Sequence, residues 1–104
     1  SEMTIADYTI ASGIFNVKYE AIELEWQEHV LATIELMNKR SRLGFAFNLL
    51  TKYSDQEFMQ SYLYYADPLF LFDYCKRNFS KEVALLHDYS QYDFTIIVRK
   101  KKDQ

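Results

Sequence analysis

The sequence predicts an α/β domain, with a small mixed sheet and two main helices. Three observations carry this. A mostly apolar segment at 8–17, a helical period over 20–41 and a doubly apolar segment at 43–50 make a strand–helix–strand unit. Asp67-Pro68 opens a second helix. Two β-rich segments, 83–86 and 94–98, close the chain as a hairpin.

The first strand, Tyr8-Thr9-Ile10-Ala11-Ser12-Gly13-Ile14-Phe15-Asn16-Val17, is expected to run out into a loop at Gly13. In the helix from Glu20 to Ser41, Ile22, Trp26, Val30, Ile34 and Met37 recur at steps of three and four and form one apolar stripe. Glu20, Glu23, Glu25 and Glu28 crowd its start, and Lys39 and Arg40 its end, which complements the helix dipole. Leu43 to Leu50 does not alternate. Apart from Asn48 it is apolar on both parities, as a strand covered on both faces is. The connections are short, so the crossover should be right-handed. Ser54-Asp55-Gln56-Glu57 has the spacing of a capping box for a short helix, with Tyr53, Tyr62, Tyr64 and Tyr65 around it. The helix after Asp67-Pro68 is expected to bury Leu69, Phe72, Cys75 or Lys76, and Phe79.

Composition narrows the function classes. The 104 residues hold nine Tyr and eight Phe but only two Gly, one Pro and one Cys, with a net charge of -3. That is one domain with a sizeable core, and neither a disordered nor a disulfide-stapled chain. Gly13 and Gly44 are too far apart for a glycine-rich phosphate loop. No apolar run approaches a membrane span and the start lacks a leader pattern, so a soluble, cytoplasmic protein is expected. The acidic balance argues against nucleic acid as the main partner. The only basic run, Arg99 to Lys102, reads as a solvated tail guarding a strand.

Side chains able to carry chemistry are few. His29 and His87 show no metal-ligand spacing, and no metal is expected. Ser12 lacks the glycine that precedes a nucleophile elbow, and no catalytic residue can be named. Asn48 is more informative. An amide near the carboxyl end of a covered strand needs a partner, and ligands of open α/β sheets bind at that rim. It either meets a ligand or ties down a loop. Tyr53, Tyr64 and Tyr65 either line an apolar substrate pocket or roof the core.

With these residues in view, the chain resembles the C-terminal half of a class I S-adenosylmethionine-dependent methyltransferase. The likeness runs from Ala6-Asp7-Tyr8 through Asn16-Val17, Ala46-Phe47-Asn48 and Tyr64-Tyr65-Ala66-Asp67-Pro68. It continues through Phe72-Asp73-Tyr74-Cys75-Lys76 and Leu85-Leu86-His87-Asp88-Tyr89 to Tyr92-Asp93-Phe94-Thr95. The resemblance implies that residues 1–104 form a single partial domain. It would hold the fourth to seventh strands of a seven-stranded Rossmann-like sheet, locally in the order 4-5-7-6 with the last strand antiparallel. The half with the glycine-rich cofactor loop would be missing.

The resemblance places Ser12, Gly13, Ile14 and Phe15 along the methionyl end of S-adenosylmethionine. Asn16, Asn48, Tyr53, Tyr64 and Tyr65 fall on the substrate side. These could not hold the cofactor alone, so this chain is expected to bind it weakly and to be inactive. Both crossovers would run the same way along the sheet, which puts both helices on one face. The bare face and the free edge would then need covering by a second copy, giving a homo-oligomer, or by the missing N-terminal half. Three functions follow as expectations: a truncated methyltransferase, a self-associating module without catalysis, or one subunit of a split enzyme.

Overall fold

The computed structural model describes residues 5–87 and 92–100. The elements in chain order are β1 (Ala6–Ala11), α1 (Glu23–Arg40), β2 (Ser41–Thr51), β3 (Tyr65–Ala66), α2 (Pro68–Asn78), β4 (Glu82–Leu86) and β5 (Asp93–Arg99). The strand order is β1-β2-β5-β4. β1 is parallel to β2, and β5 is antiparallel to both β2 and β4. The four-strand order and the antiparallel last strand agree with the sequence expectation. The two-residue β3 pairs parallel with the end of β2, at Leu50 and Thr51, beyond the reach of β1.

The doubly apolar β2 lies at the centre, as its composition requires. Its odd positions Phe45, Phe47 and Leu49, with Phe94, Ile96 and Val98 of β5, meet Val30, Ile34 and Met37 of α1 and Leu71 and Cys75 of α2 in one buried cluster. Both helices therefore cover the same face. The opposite face stays open, with Tyr8 61% and Ile10 79% exposed. A cross-strand row of apolar residues, Ile10, Ala46, Ile97 and Ala84, crosses it from edge to edge. A shallow groove of about 260 Å³ runs along it, past Tyr8 and Ile10.

Several expectations need correction. β1 begins at Ala6, two residues before the expected start; it gives way to a loop at Gly13 as expected, where the chain turns through a φ of 73° that glycine alone adopts freely. Ile22 is not in the helical stripe. It is the N-cap of α1 and is exposed, while Trp26, Val30, Ile34 and Met37 do face the core. The capping box does not form. The Ser54 hydroxyl donates to the Thr51 carbonyl and the Asp55 carboxylate accepts from Tyr92, leaving only a 3-10 turn at Gln56–Phe58.

In α2 the Asp67 carboxylate caps the N–H groups of Leu69 and Phe70, as expected, but Pro68, Leu71 and Cys75 set the buried face. Leu69 is exposed, and Phe72 and Phe79 pack at the margin. Burial pushes the Cys75 thiol up to about 12, which leaves it inert at neutral pH.

Lys100 is not a solvated tail residue. Helix α1 passes into β2 with no intervening residue, and the Lys100 ammonium donates to the carbonyls of Asn38 and Ser41 at 2.7 Å each. It thus satisfies the negative end of α1. Lys101, Lys102 and the hairpin loop at Asp88 to Gln91 lie outside the described residues.

A bond from the Tyr74 hydroxyl to Glu35 Oε2 at 2.6 Å joins the two helices at their outer side. Burial and then that carboxylate push the Tyr74 phenol up to about 12, from an ordinary 10.0. A pKa raised in the folded state gives stability that is complete below pH 10 and is lost as pH climbs towards 12. We expect Tyr74→Phe to cost about 1 kcal/mol at neutral pH. Urea unfolding across the alkaline range checks this, and the difference from the parent chain should vanish near the upper limit.

Candidate functional site

The carboxyl ends of β1 and β2 share one rim, and the chain builds it from loops 12–22 and 52–64. Gly13 turns the chain out of β1, and its N–H donates to Asn48 Oδ1 at 2.7 Å. Asn48 Nδ2 donates in turn to the Ser12 hydroxyl at 3.3 Å. The amide is therefore satisfied within the chain. It ties down the loop of the neighbouring strand, so of its two sequence readings the loop anchor describes its contacts.

Asn16 has a similar task. Where β1 no longer reaches, its Oδ1 accepts from the N–H of Leu50 at 3.2 Å, and its carbonyl accepts from Tyr64 at 2.8 Å. Phe15 turns inward and is 1% exposed, with its ring edge-on to Phe47 and His29. Its carbonyl accepts from the Trp26 indole at 2.9 Å. The side chains of Ser12 and Ile14 remain open to solvent. A recess of about 100 Å³ lies beside Ser12 and Asn48, floored by Ala46 and Thr95.

A larger cleft, of about 440 Å³, opens between the first turns of both helices. Glu23, Leu24 and Gln27 of α1 form one wall, and Asp67, Phe70 and Leu71 from the start of α2 the other. Tyr64, Tyr65 and Lys52 close its inner end. Tyr53 does not join them. It is exposed, and stands edge-on to His87 at 5.7 Å. Lys52 pairs with Asp67 at 3.1 Å. Burial pushes the Asp67 carboxyl up, but that bond and the capping N–H groups outweigh it and hold the group below the usual range. Tyr64 is 7% exposed, and its hydroxyl is not among the buried side-chain groups left without a partner. Burial first, then the carboxylates of Glu23 and Asp67, raise its pKa, so it remains a donor at neutral pH. The Tyr65 hydroxyl accepts from the N–H of Gln60.

Sequence reasoning missed Glu23, Gln27, Lys52 and Phe70 as cleft residues. They are scattered over 48 positions and no local pattern links them; only the Asp67-Pro68 pair marked one wall in advance. Both histidines have structural contacts. His87 Nε2 lies 2.8 Å from the Thr51 hydroxyl, and the His29 ring sits 4.7 Å from that of Trp26. Among the described residues no three His, Cys, Asp or Glu side chains gather as metal ligands, and no helix is long and apolar enough to cross a membrane.

This chain is 59% identical over 95 residues to a protein of Mycobacterium tuberculosis named "Putative methyltransferase Rv1506c". It is similar to a protein that bears a methyltransferase name. The match takes in 91% of this chain but 57% of the relative, so the chain spans little more than half the relative's length. No family model and no solved structure matches.

Proposed function

We propose that this chain is part of a class I S-adenosylmethionine-dependent methyltransferase and that it is inactive without the remainder. The observation that carries the reading is the relative's name together with the share of its length that this chain leaves uncovered. The strand order supports it. The β1–α1–β2 crossover and the β2–α2–β4 crossover advance in the same direction, so right-handed connections put both helices on one face. Covering the other face with right-handed crossovers takes strands that continue past β1 in the opposite direction. Ligands of open α/β sheets bind where the direction reverses, at the carboxyl ends of the strands. Here that is the Ser12-Gly13 turn.

In this reading Ser12, Gly13 and Ile14 wall the methionyl end of S-adenosylmethionine, and Phe15 supports them from the core. Asn16 and Asn48 hold the rim in shape, and Tyr64 and Tyr65 face the methyl acceptor; Tyr53 lies apart from them. The cofactor would supply an electrophilic methyl group. Transfer needs that group and a nucleophile aligned in a closed, dry site, which an open rim does not make. The open sheet face is taken by the rest of a longer protein, whose existence the relative's extra length supports.

Calorimetry with S-adenosylmethionine tests the reading. We expect this chain alone to bind no tighter than about millimolar, and the chain joined to the rest of the relative to bind at least about tenfold tighter. Micromolar affinity of the chain alone overturns the claim of truncation. A joined form that folds and still ignores the cofactor overturns the methyltransferase reading. Light scattering adds a check on the open face: the isolated chain should self-associate with concentration, and a monodisperse monomer sinks the claim that this face must be covered.

A further inference from the structure

The two edges of the sheet are not alike. The outer edge of β1 is broken by a register shift between Ala6 and Tyr8 and carries the Asp7–Arg42 ion pair, and both features discourage a further strand. β4 forms the other edge. Its residues, Glu82-Val83-Ala84-Leu85-Leu86, pair with β5 in unbroken register, hold no proline and carry charge at Glu82 alone. A regular, apolar edge of this kind is a template for another strand. The ladder fixes which of its groups are free. The Ser80 hydroxyl donates to the Arg99 carbonyl and accepts from the N–H of Glu82, so the Arg99–Glu82 pair turns inward between β5 and β4. The N–H of Lys100 turns the other way and donates to Leu43 beside β2. Antiparallel pairs alternate, so Ala84 also addresses β5, while Val83 and Leu85 aim both N–H and C=O out of the sheet. These two residues lie symmetrically about Ala84, which makes β4 the complement of its own copy run in reverse.

We propose that this chain pairs with a second copy along β4, the two strands antiparallel about a two-fold axis at Ala84, so that the sheets of both copies become one. Val83 of each copy then exchanges both backbone bonds with Leu85 of the other. The side chains of these residues are half-buried at the margin of the core, on the face that the helices cover. Pairing sets them side by side and carries the core across the axis. On the open face Ala84 meets Ala84 and Glu82 meets Leu86, so no like charges stand opposite each other. The proposal does not rest on the methyltransferase reading. It leaves β1 and the open face to the rest of a longer protein.

The test is sedimentation together with amide exchange of this chain over a range of concentrations. A reversible dimer should form with a Kd on the order of tens of micromolar, since edge pairing buries less area than a standard interface. As the dimer fills, exchange at the N–H groups of Val83 and Leu85 should slow at least about tenfold, and that of Ala84, already turned to β5, should change less. Ala84→Lys, at an exposed position, sets two ammonium groups opposite each other and should weaken the dimer at least about tenfold. Val83→Pro removes an outward N–H without breaking the ladder to β5, and should weaken the dimer in the same way if the lysine variant does not fold. The proposal is overturned if the chain stays monomeric up to about 1 mM, or if folded variants dimerise as the parent does. It is equally overturned if the chain associates with no slowing at Val83 and Leu85, a result that would move the contact to the open face.

Discussion

Gly44→Ala is expected to cost about 3 kcal/mol of stability, enough to leave a chain of this size barely folded. Gly44 sits in the central strand with an ordinary extended backbone, so the cost comes from space and not from torsion. A methyl group there would lie 2.5 Å from the Val98 carbonyl oxygen and 3.4 Å from the Arg99 Cα. Both belong to the backbone of β5, which is locked to β2 over seven residue pairs and to β4 over five. A side chain could swing aside; this wall cannot. The Tyr8 ring is the third neighbour at 3.5 Å, an ordinary contact, so adding Tyr8→Ala should rescue almost nothing. Urea unfolding of the single and double variants checks both statements. A Gly44→Ala midpoint equal to that of the parent, or a full rescue by Tyr8→Ala, would show that the strands part more easily than their pairing implies.

Gly44 also illustrates how the sequence speaks about this fold. Local patterns announced most of the frame. The α1 stripe apart from Ile22, the Asp67-Pro68 start and the antiparallel closing strands all depend on neighbours within a few residues, and the structure keeps each of them, while β2 is covered on one face only. Where the reading failed, a distant partner decided. The Asp55 carboxylate, at the cap of the 3-10 turn, is taken by Tyr92, 37 residues away, although the Ser54 hydroxyl of the expected box went to a near neighbour, the Thr51 carbonyl. Lys100 left the basic tail for the end of α1, 59 and 62 residues back. The loop after Gly13 was expected, but its anchors were not: the Phe15 carbonyl belongs to Trp26 and the Asn16 amide to Leu50.

The site divides along the same line. Asn48 stood out because a lone amide in an apolar strand is a local anomaly, although its partners, Ser12 and Gly13, come from another strand's loop. The cleft was mostly hidden. Tyr64 and Tyr65 were visible as aromatic residues, but the charged groups around them, Glu23, Lys52 and Asp67, come from separate parts of the chain. Tyr53, equally visible, belongs to the His87 contact on the far side of Thr51.

The rim loop offers the second large effect, and there the sequence and the structure assign one residue different tasks. Phe15→Ala should cost about 3–4 kcal/mol, the usual loss for a fully buried phenylalanine. Its ring fills the space between Phe47 of the sheet and His29 of α1, edge-on to both. Were Phe15 mainly a cofactor wall, exposed until ligand arrives, the same change would leave stability almost untouched. Ile14→Ala provides the comparison, since Ile14 is 52% exposed and should cost less than about 0.5 kcal/mol. Thermal or urea unfolding separates the two residues directly. The consequence for the rim follows from the backbone. The Phe15 carbonyl holds Trp26 and the next carbonyl, of Asn16, holds Tyr64, so a cavity beneath Phe15 loosens the connection between the Ser12-Gly13 turn and the cleft. Amide exchange at Gly13 and Tyr64 should therefore quicken together in Phe15→Ala and stay unchanged in Ile14→Ala. Faster exchange at only one of them would mean that the rim and the cleft are held independently, and that a ligand in one has no mechanical route to the other.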